Sequence, residues 1–318
     1  MSAMRLCGRL LHKMEVEDEL LGLLGQLLEL PEKVMLHLAP GVSRGLLQIL
    51  ESNPAFAQRQ PSQWVLPLAL IDKMGFGKGE TAGISLECLS HLVRNGQVFT
   101  ENTVPCLQAL ERYLPIVNGT ANPTFNPQWC RKSMELLLTV HTRLCANEGS
   151  AVADWPQHCR LVLDHLAASS READYEVSHY AMRCLQRALL QGKEALSLST
   201  PCWVGVFEEV LFPILEHGAN APALSPTRSP TLMNASLLFV GVLVPVVKTL
   251  AEAPQFGQMW RKYLTQLASF TRMEGCSELS QKIPLLLGAL LRRMCLSGLF
   301  ATPTGKKGTI SDSSALWK

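Results

Sequence analysis

Apolar residues recur three and four positions apart along nearly the whole chain, and this helical period constrains the fold more than any other feature. The stretch after Glu17 is typical, with Leu20, Leu21, Leu24, Leu27 and Leu28 in register. This spacing puts the leucines on one face of an α-helix, which other helices must cover. The few β-branched clusters are short and lie in leucine-rich surroundings, so no sheet is predicted.

The predicted helices come in consecutive pairs. They cover residues 17–30 with 32–51, 61–74 with 81–94, 102–114 with 127–146, 155–168 with 174–191, 201–217 with 231–253, and 255–272 with 278–296. Pair starts fall about 40 to 54 residues apart, close to the HEAT and armadillo period and longer than the tetratricopeptide period. We therefore predict an all-α, HEAT/armadillo-like helical-repeat solenoid of about six helix pairs.

The same pattern suggests how the chain is organised. We expect a helical-repeat region over residues 1–146, a second, continuous with the first, over 147–300, and a polar C-terminal tail over 301–318. A proline inside a helix removes one hydrogen bond and clashes with the preceding turn. Kinked helices, or pairs of shorter ones, are thus predicted at Pro40, Pro67, Pro213 and Pro245.

Composition excludes several classes of protein. With 47% hydrophobic and 18% charged residues, the chain is predicted to fold rather than remain disordered. Its net charge of +2 leaves no basic stripe for a nucleic acid. The ten cysteines form no CxxC pair, which indicates reduced, buried thiols. The longest apolar tract, Leu232 to Val247, contains Asn234 and Pro245 and is shorter than a membrane span, so it is interpreted as a buried helix.

No pattern of catalytic residues appears in the sequence. GxSxG, HExxH and P-loop motifs are absent, and the nominal GxGxxA at Gly77, Gly79 and Ala82 follows a predicted helix instead of a strand. His158, Cys159 and His165 share a helix but lack the tight spacing of zinc ligand pairs. We therefore predict no enzyme activity, no cofactor and no metal.

Several blocks, in order, resemble the C-terminal part of the large Arf guanine nucleotide exchange factors of the Golgi brefeldin A-resistance, Gea and GNOM type. The most specific is WVGVFEEVLFP from Trp203 to Pro213. Earlier blocks are HLAPGVSRGL from His37, the later Trp64, and LSHLVR from Leu89. Further along, they are YAMRCLQRALL from Tyr180, the four-residue spacing of Phe256 and Trp260, and SALW from Ser314. The final block, from Ser314 to Trp317, resembles the first half of the family's S-A-L-W-x-x-T-W run and stops before its second half, which predicts a truncated product or fragment.

The resemblance implies a non-catalytic scaffold for regulation and membrane recruitment in ER–Golgi vesicle transport. It also implies a cytoplasmic protein attached peripherally to Golgi membranes, with protein partners and the membrane surface as its contacts; nucleic acid is already excluded by the charge balance. No stretch resembles the exchange domain, so Arf itself would be contacted only through a domain missing from this chain. An unrelated HEAT-type adaptor is the alternative.

Two sets of candidate site residues follow. Basic residues on the last two predicted helices are candidate membrane or partner contacts, with a solvated helix face as the alternative; they are Arg261, Lys262, Arg292 and Arg293. In the proline-rich segment 218–230, Ser225 and Ser229 each precede a proline and flank Arg228. They are candidate phosphorylation sites, with an unmodified linker as the alternative.

Overall fold

The computed structural model describes residues 14–52, 64–75, 79–95, 100–117, 120–122, 125–147, 157–172, 174–191, 198–220, 227–273 and 276–299. The chain forms two compact units, Met1–Glu148 and Gly149–Lys318. Helices dominate the described part of both units, and the predicted all-α helical-repeat class is confirmed. The predicted tail, residues 301–318, lies outside the described residues.

The first unit contains six helices, in the part the structure describes. They are α1 Met14–Glu29, α2 Glu32–Ser52, α3 Val65–Gly75, α4 Glu80–Asn95, α5 Thr100–Glu111 and α6 Pro127–Asn147. Within this unit α3 packs against α1 and α5, while α4 packs against α2 and α6. Alternate helices therefore form two layers, which is the arrangement that stacked helix pairs produce.

The second unit repeats this arrangement with helices α7 to α13. They are α7 Gln157–Ser169, α8 Tyr175–Leu190, α9 Thr200–Gly205, α10 Phe212–Asn220, α11 Arg228–Leu250, α12 Phe256–Thr271 and α13 Ser277–Leu296. One layer holds α8, α11 and α13, with α11 packed against both neighbours. The other layer holds α7, the α9–α10 region and α12.

A π-helical segment, Val206–Leu211, joins α9 to α10 into one continuous helix. The backbone N–H of Phe212 bonds to the carbonyl of Phe207, five residues back. Pro213 follows immediately and has no N–H to donate, so the extra residue in this turn moves a carbonyl away from the proline ring. The irregularity predicted at Pro213 therefore takes the form of a π turn inside a single helix.

None of the other three prolines divides its helix. Pro67 is the third residue of α3, where its missing N–H would have no partner within the helix, so it causes no break. Pro40 and Pro245 lie inside the continuous helices α2 and α11. Neither helix is divided into two, so the alternative of shorter helices is wrong at both positions.

One small β-hairpin interrupts the first unit and was not predicted. Ile116–Val117 (β1) pairs antiparallel with Thr120–Ala121 (β2), with Val117 opposite Thr120. The residues between them in the sequence, Asn118 and Gly119, are a pair typical of two-residue hairpin loops. Asn122 anchors the end of the hairpin, since its Nδ2 donates to the carbonyls of Arg112 and Leu114 at 2.8 and 2.9 Å.

Helix α11 is, among the described residues, the only one long and apolar enough to cross a membrane by length and composition. It packs against α8, α10 and α13, and its apolar residues Leu232, Val242 and Leu250 are fully buried. Half of its most apolar window lies inside the unit. These contacts agree with the prediction of a buried repeat helix.

Candidate partner and membrane surface

The second unit is held together by an aromatic cluster at its centre. The ring of Phe239 on α11 stacks on Tyr263 of α12 at 4.2 Å between centroids and meets Phe207 edge-on at 5.0 Å. Phe212 lies 5.1 Å from the same ring. Burial raises the pKa of the Tyr263 hydroxyl, so this group stays neutral. The cluster therefore joins α11, α12 and the π-helical region around one ring.

Helix α12 carries the first basic pair, and the structure separates its two members. Arg261 is exposed, and its Nε donates to the carbonyl of Gly257 at 3.3 Å. The ammonium group of Lys262 lies 3.3 Å from a carboxylate oxygen of Glu208 and 3.3 Å from one of Glu216. It also lies 4.2 Å from the ring centroid of Phe212.

Lys262 therefore binds α12 to the neighbouring helix rather than facing outward with Arg261. Two carboxylates neutralise its charge, which leaves little attraction for a lipid phosphate. Adjacent residues on a helix point about 100° apart, so Lys262 can face the carboxylates of the neighbouring helix while Arg261 stays exposed. Of this pair, only Arg261 keeps the geometry expected of a surface contact.

Helix α13 carries the second pair, Arg292 and Arg293, and both side chains are exposed. Among the described residues, no ion pair is found for either of them. Leu285 and Leu296 on the same helix are 73% and 76% exposed, the highest values of any large apolar side chain in the described chain. The structure thus brings exposed leucines and arginines together on one helix, and the leucines were not singled out from the sequence.

A surface groove of about 380 Å³ lies between α7 and α9 with its π-helical continuation. Leu163, Val206 and Val210 provide apolar lining, and Cys202 also contributes. Arg160 and Glu209 line the groove and form an ion pair with each other. This groove was not predicted, because its two walls come from helices about 45 residues apart in the sequence.

The two candidate phosphorylation sites have different positions. Ser225 lies outside the described residues. Ser229 lies in the first turn of α11 and is half-buried, so the predicted loop ends earlier than Pro230. Beside it, Arg228 donates to the carbonyl of Ala219 at 2.7 Å. Phosphate is favoured at a helix start, yet phosphorylation of either serine stays a prediction.

The buried cysteines have the chemistry of apolar core residues. Cys88 and Cys106 are fully buried, and desolvation raises the pKa of both thiols, that of Cys106 to about 12. The reactive thiolate is therefore disfavoured at both positions. None of the nine described cysteines forms a disulfide, and Cys295 on α13 is the exposed one.

A comparison with protein families identifies the second unit. Residues 159–318 match a family described as "GBF1-like, tetratrico peptide repeat region". The match covers half of the chain and includes the WVGVFEEVLFP block, the aromatic cluster and α13. The chain belongs to this GBF1-like family. The resemblance to Arf exchange factors of the Golgi brefeldin A-resistance, Gea and GNOM type is thereby confirmed.

Two curated relatives agree with this assignment. "ARF guanine-nucleotide exchange factor GNL1" of Arabidopsis thaliana is 21% identical over 99% of this chain. A Caenorhabditis elegans protein, "Golgi-specific brefeldin A-resistance guanine nucleotide exchange factor 1 homolog", is 26% identical over 46% of it. The chain spans only 23% and 8% of the lengths of these relatives. No solved structure matches the chain.

Family membership removes the alternative of an unrelated HEAT-type adaptor. The family description names tetratrico peptide repeats, whereas the spacing of the pairs favoured the longer HEAT or armadillo period. Several helices, such as α11 with 23 residues, are also long for a repeat of about 34 residues that must hold two helices and their turns.

The position of Lys262 leads to a first prediction. Replacing Lys262 by Met removes both ion pairs but keeps an apolar chain over Phe212. We expect the free energy of unfolding to fall by about 1 kcal/mol, because partly exposed ion pairs and a cation–π contact are each of modest strength. Urea unfolding followed by circular dichroism measures this change.

Arg261→Met is the matched control for Lys262→Met. Arg261 is exposed and its hydrogen bond lies within its own turn, so its loss should change stability by less than about 0.5 kcal/mol. Equal effects of the two substitutions would contradict the interhelical role of Lys262.

Proposed function

We propose that this chain is a non-catalytic scaffold of an Arf guanine nucleotide exchange factor, which regulates the factor and recruits it to Golgi membranes in ER–Golgi vesicle transport. Its family membership over the second unit is the observation that carries this proposal. Both named relatives are exchange factors, and the matched region consists of stacked helices with an apolar centre. Stacked helical repeats act by presenting surface to partners.

The described surface supports binding rather than chemistry. The groove beside α7 has an apolar lining and one ion pair, which suits the docking of a protein segment. The exposed leucines and arginines of α13 suit a membrane or a second protein surface. Arf would be contacted through an exchange domain that this chain does not include.

The proposal predicts two results for the purified 318-residue chain. Added to Arf loaded with a fluorescent GDP analogue, it should leave the rate of nucleotide release at its intrinsic value. Expressed with a fluorescent tag, it should co-fractionate with Golgi membranes. The physical reason is that recruitment needs only a docking surface, whereas exchange needs groups that displace the nucleotide and its metal.

A concentration-dependent acceleration of nucleotide release would contradict the non-catalytic part of the proposal. A tagged chain found wholly in the soluble fraction would contradict the recruitment part. The tag alone, expressed at the same level, is the control for non-specific sedimentation.

A further inference from the structure

Helix α13 ends the layer formed by α8, α11 and α13 in the described part of the second unit. It contacts α11 in its own layer and α12 behind it. Leu279, Ile283, Leu290 and Met294 are buried against these neighbours. The side of the helix opposite this buried face is uncovered among the described residues.

From Leu285 onward, the exposed side chains of α13 lie on one half of the helix surface. At about 100° per residue, Leu285, Arg292 and Leu296 lie within roughly 40° of one another around the helix axis. Gly288 and Ala289, both exposed, lie on either side of these three residues, about 60° and 40° from Leu285. Arg293 lies at the edge of the same face. We call these residues the α13 stripe: Leu285, Gly288, Ala289, Arg292, Arg293 and Leu296.

The charge of this helix is entirely basic after its first turn. Glu278, the last acidic residue before the end of α13, pairs with Lys282 at 2.5 Å. From there to Leu296 the charged residues are Lys282, Arg292 and Arg293. Glu278 pairs with Lys282 and lies 14 residues before Arg292, so no acidic side chain of the helix is near the two arginines, and an anionic surface would be attracted to the stripe.

The composition of the α13 stripe favours a membrane over another helix as the partner of this face. Where basic side chains lie at contacts between helices of one layer in the first unit, carboxylates of the neighbouring helix pair with them, as Glu80 does with Arg44 and Glu87 with Lys132. Another helix packed on the α13 stripe would have to desolvate two guanidinium groups, which is costly unless they are paired. At a bilayer surface the arginines stay among phosphates while the leucines enter the apolar region.

We propose that the α13 stripe is a membrane-contact face that binds bilayers containing anionic lipids. Leu285 and Leu296 insert between the lipids, and Arg292 and Arg293 contact the head-group phosphates. The inference rests on the proposed recruitment function and assigns it to one helix face. It also excludes Lys262 as a lipid contact, because that ammonium group is held by two carboxylates.

The test is flotation of the purified 318-residue chain with two kinds of vesicle. One contains phosphatidylcholine alone and the other adds phosphatidylserine. The unmodified chain should float with the anionic vesicles only, and salt should weaken this binding by screening. Replacing Arg292 and Arg293 together by Gln should reduce the apparent affinity about thirtyfold, since each basic residue near an anionic surface contributes about fivefold.

The leucines are tested by replacing Leu285 and Leu296 together by Ala. The loss of apolar area should reduce binding to the anionic vesicles about tenfold or more. Both side chains are exposed, so the fold should survive, and an unchanged circular dichroism melting curve verifies this.

Matched controls separate the α13 stripe from general charge and apolarity. Arg183 and Arg187 are exposed on α8 of the same unit, so replacing both by Gln makes the same change in charge elsewhere. Leu237, 46% exposed on α11, provides Leu237→Ala as the apolar control. Both control proteins should bind anionic vesicles as the unmodified chain does.

Two results would overturn the inference. One is an unmodified chain that floats with neither vesicle, and the other is a stripe variant that binds as tightly as its control. Either could coexist with Golgi co-fractionation of the tagged chain, in which case recruitment occurs through a protein and the proposed function stands. A chain that floats through the α13 stripe yet never reaches Golgi membranes would support the inference and contradict the recruitment function.

Discussion

Replacing Phe239 by Ala should lower the free energy of unfolding by about 3 to 5 kcal/mol, as for other large-to-small changes at buried aromatic residues. Phe239 is 2% exposed and touches three other aromatic rings, Phe207, Phe212 and Tyr263. Its removal leaves a cavity where α11, α12 and the π-helical region meet. Urea unfolding followed by far-ultraviolet circular dichroism measures the loss.

The control for Phe239→Ala is Leu237→Ala, two residues earlier on the same helix. Leu237 is 46% exposed, so its truncation should cost less than about 1 kcal/mol. If Phe239→Ala cost no more than this control, the cluster would not be a tightly packed core. The stacking of Phe239 on Tyr263 would then contribute little to stability.

The helices could be predicted because their signals are local in the sequence. Apolar residues three and four apart mark the buried face, and start signals lie within one turn of each helix. Pro127 begins α6 at the predicted residue, and the side chain of Asp174 accepts a hydrogen bond from Val177 N at the start of α8. Only neighbours along the chain are needed to recognise such features.

The β-hairpin and the π turn are local as well, but their signals are weaker. Asn118 and Gly119 favour a two-residue loop, yet the strands on either side hold only two residues each. A strand of two residues is too short to show the alternation of apolar and polar residues by which strands are recognised. The π turn depends on how one inserted residue is accommodated before Pro213, and the apolar spacing on both sides hardly changes.

The roles of the basic residues could not be predicted, because they depend on partners far along the chain. Lys262 meets Glu208 and Glu216, which precede it by 54 and 46 residues. The sequence shows only that Lys262 and Arg261 are adjacent and basic. Which of them faces a carboxylate is decided by the packing of α12 against α10.

The exposure of Leu285 and Leu296 could not be predicted either, because it also depends on how distant helices pack. A leucine-rich helix carries more apolar residues than one face can bury, and the sequence does not say which neighbours cover which side. Among the described residues, α13 is the last helix of its layer, and no other helix covers these two leucines. The resemblance to exchange factors indicates the family of the chain, whereas the candidate contact face on α13 follows only from the packing of the helices.

Replacing Trp64 by Ala should have a comparably large effect on the first unit, a loss of about 3 to 5 kcal/mol in the free energy of unfolding. Trp64 immediately precedes α3 and is 1% exposed, among the largest fully buried side chains of the described chain. Its indole was singled out in the sequence by resemblance, and its burial gives that position a physical reason. Far-ultraviolet circular dichroism is the appropriate probe, since the substitution itself removes a fluorophore.

Val65→Ala provides the matched control for Trp64→Ala. Val65 is the next residue and is 54% exposed, so its truncation should change stability by less than about 0.5 kcal/mol. A cost for Trp64→Ala no larger than this would mean that the start of α3 is not anchored by the indole. A large cost confined to Trp64 would show that the tryptophan is retained for packing, so functional contacts of this unit should be sought among its exposed side chains.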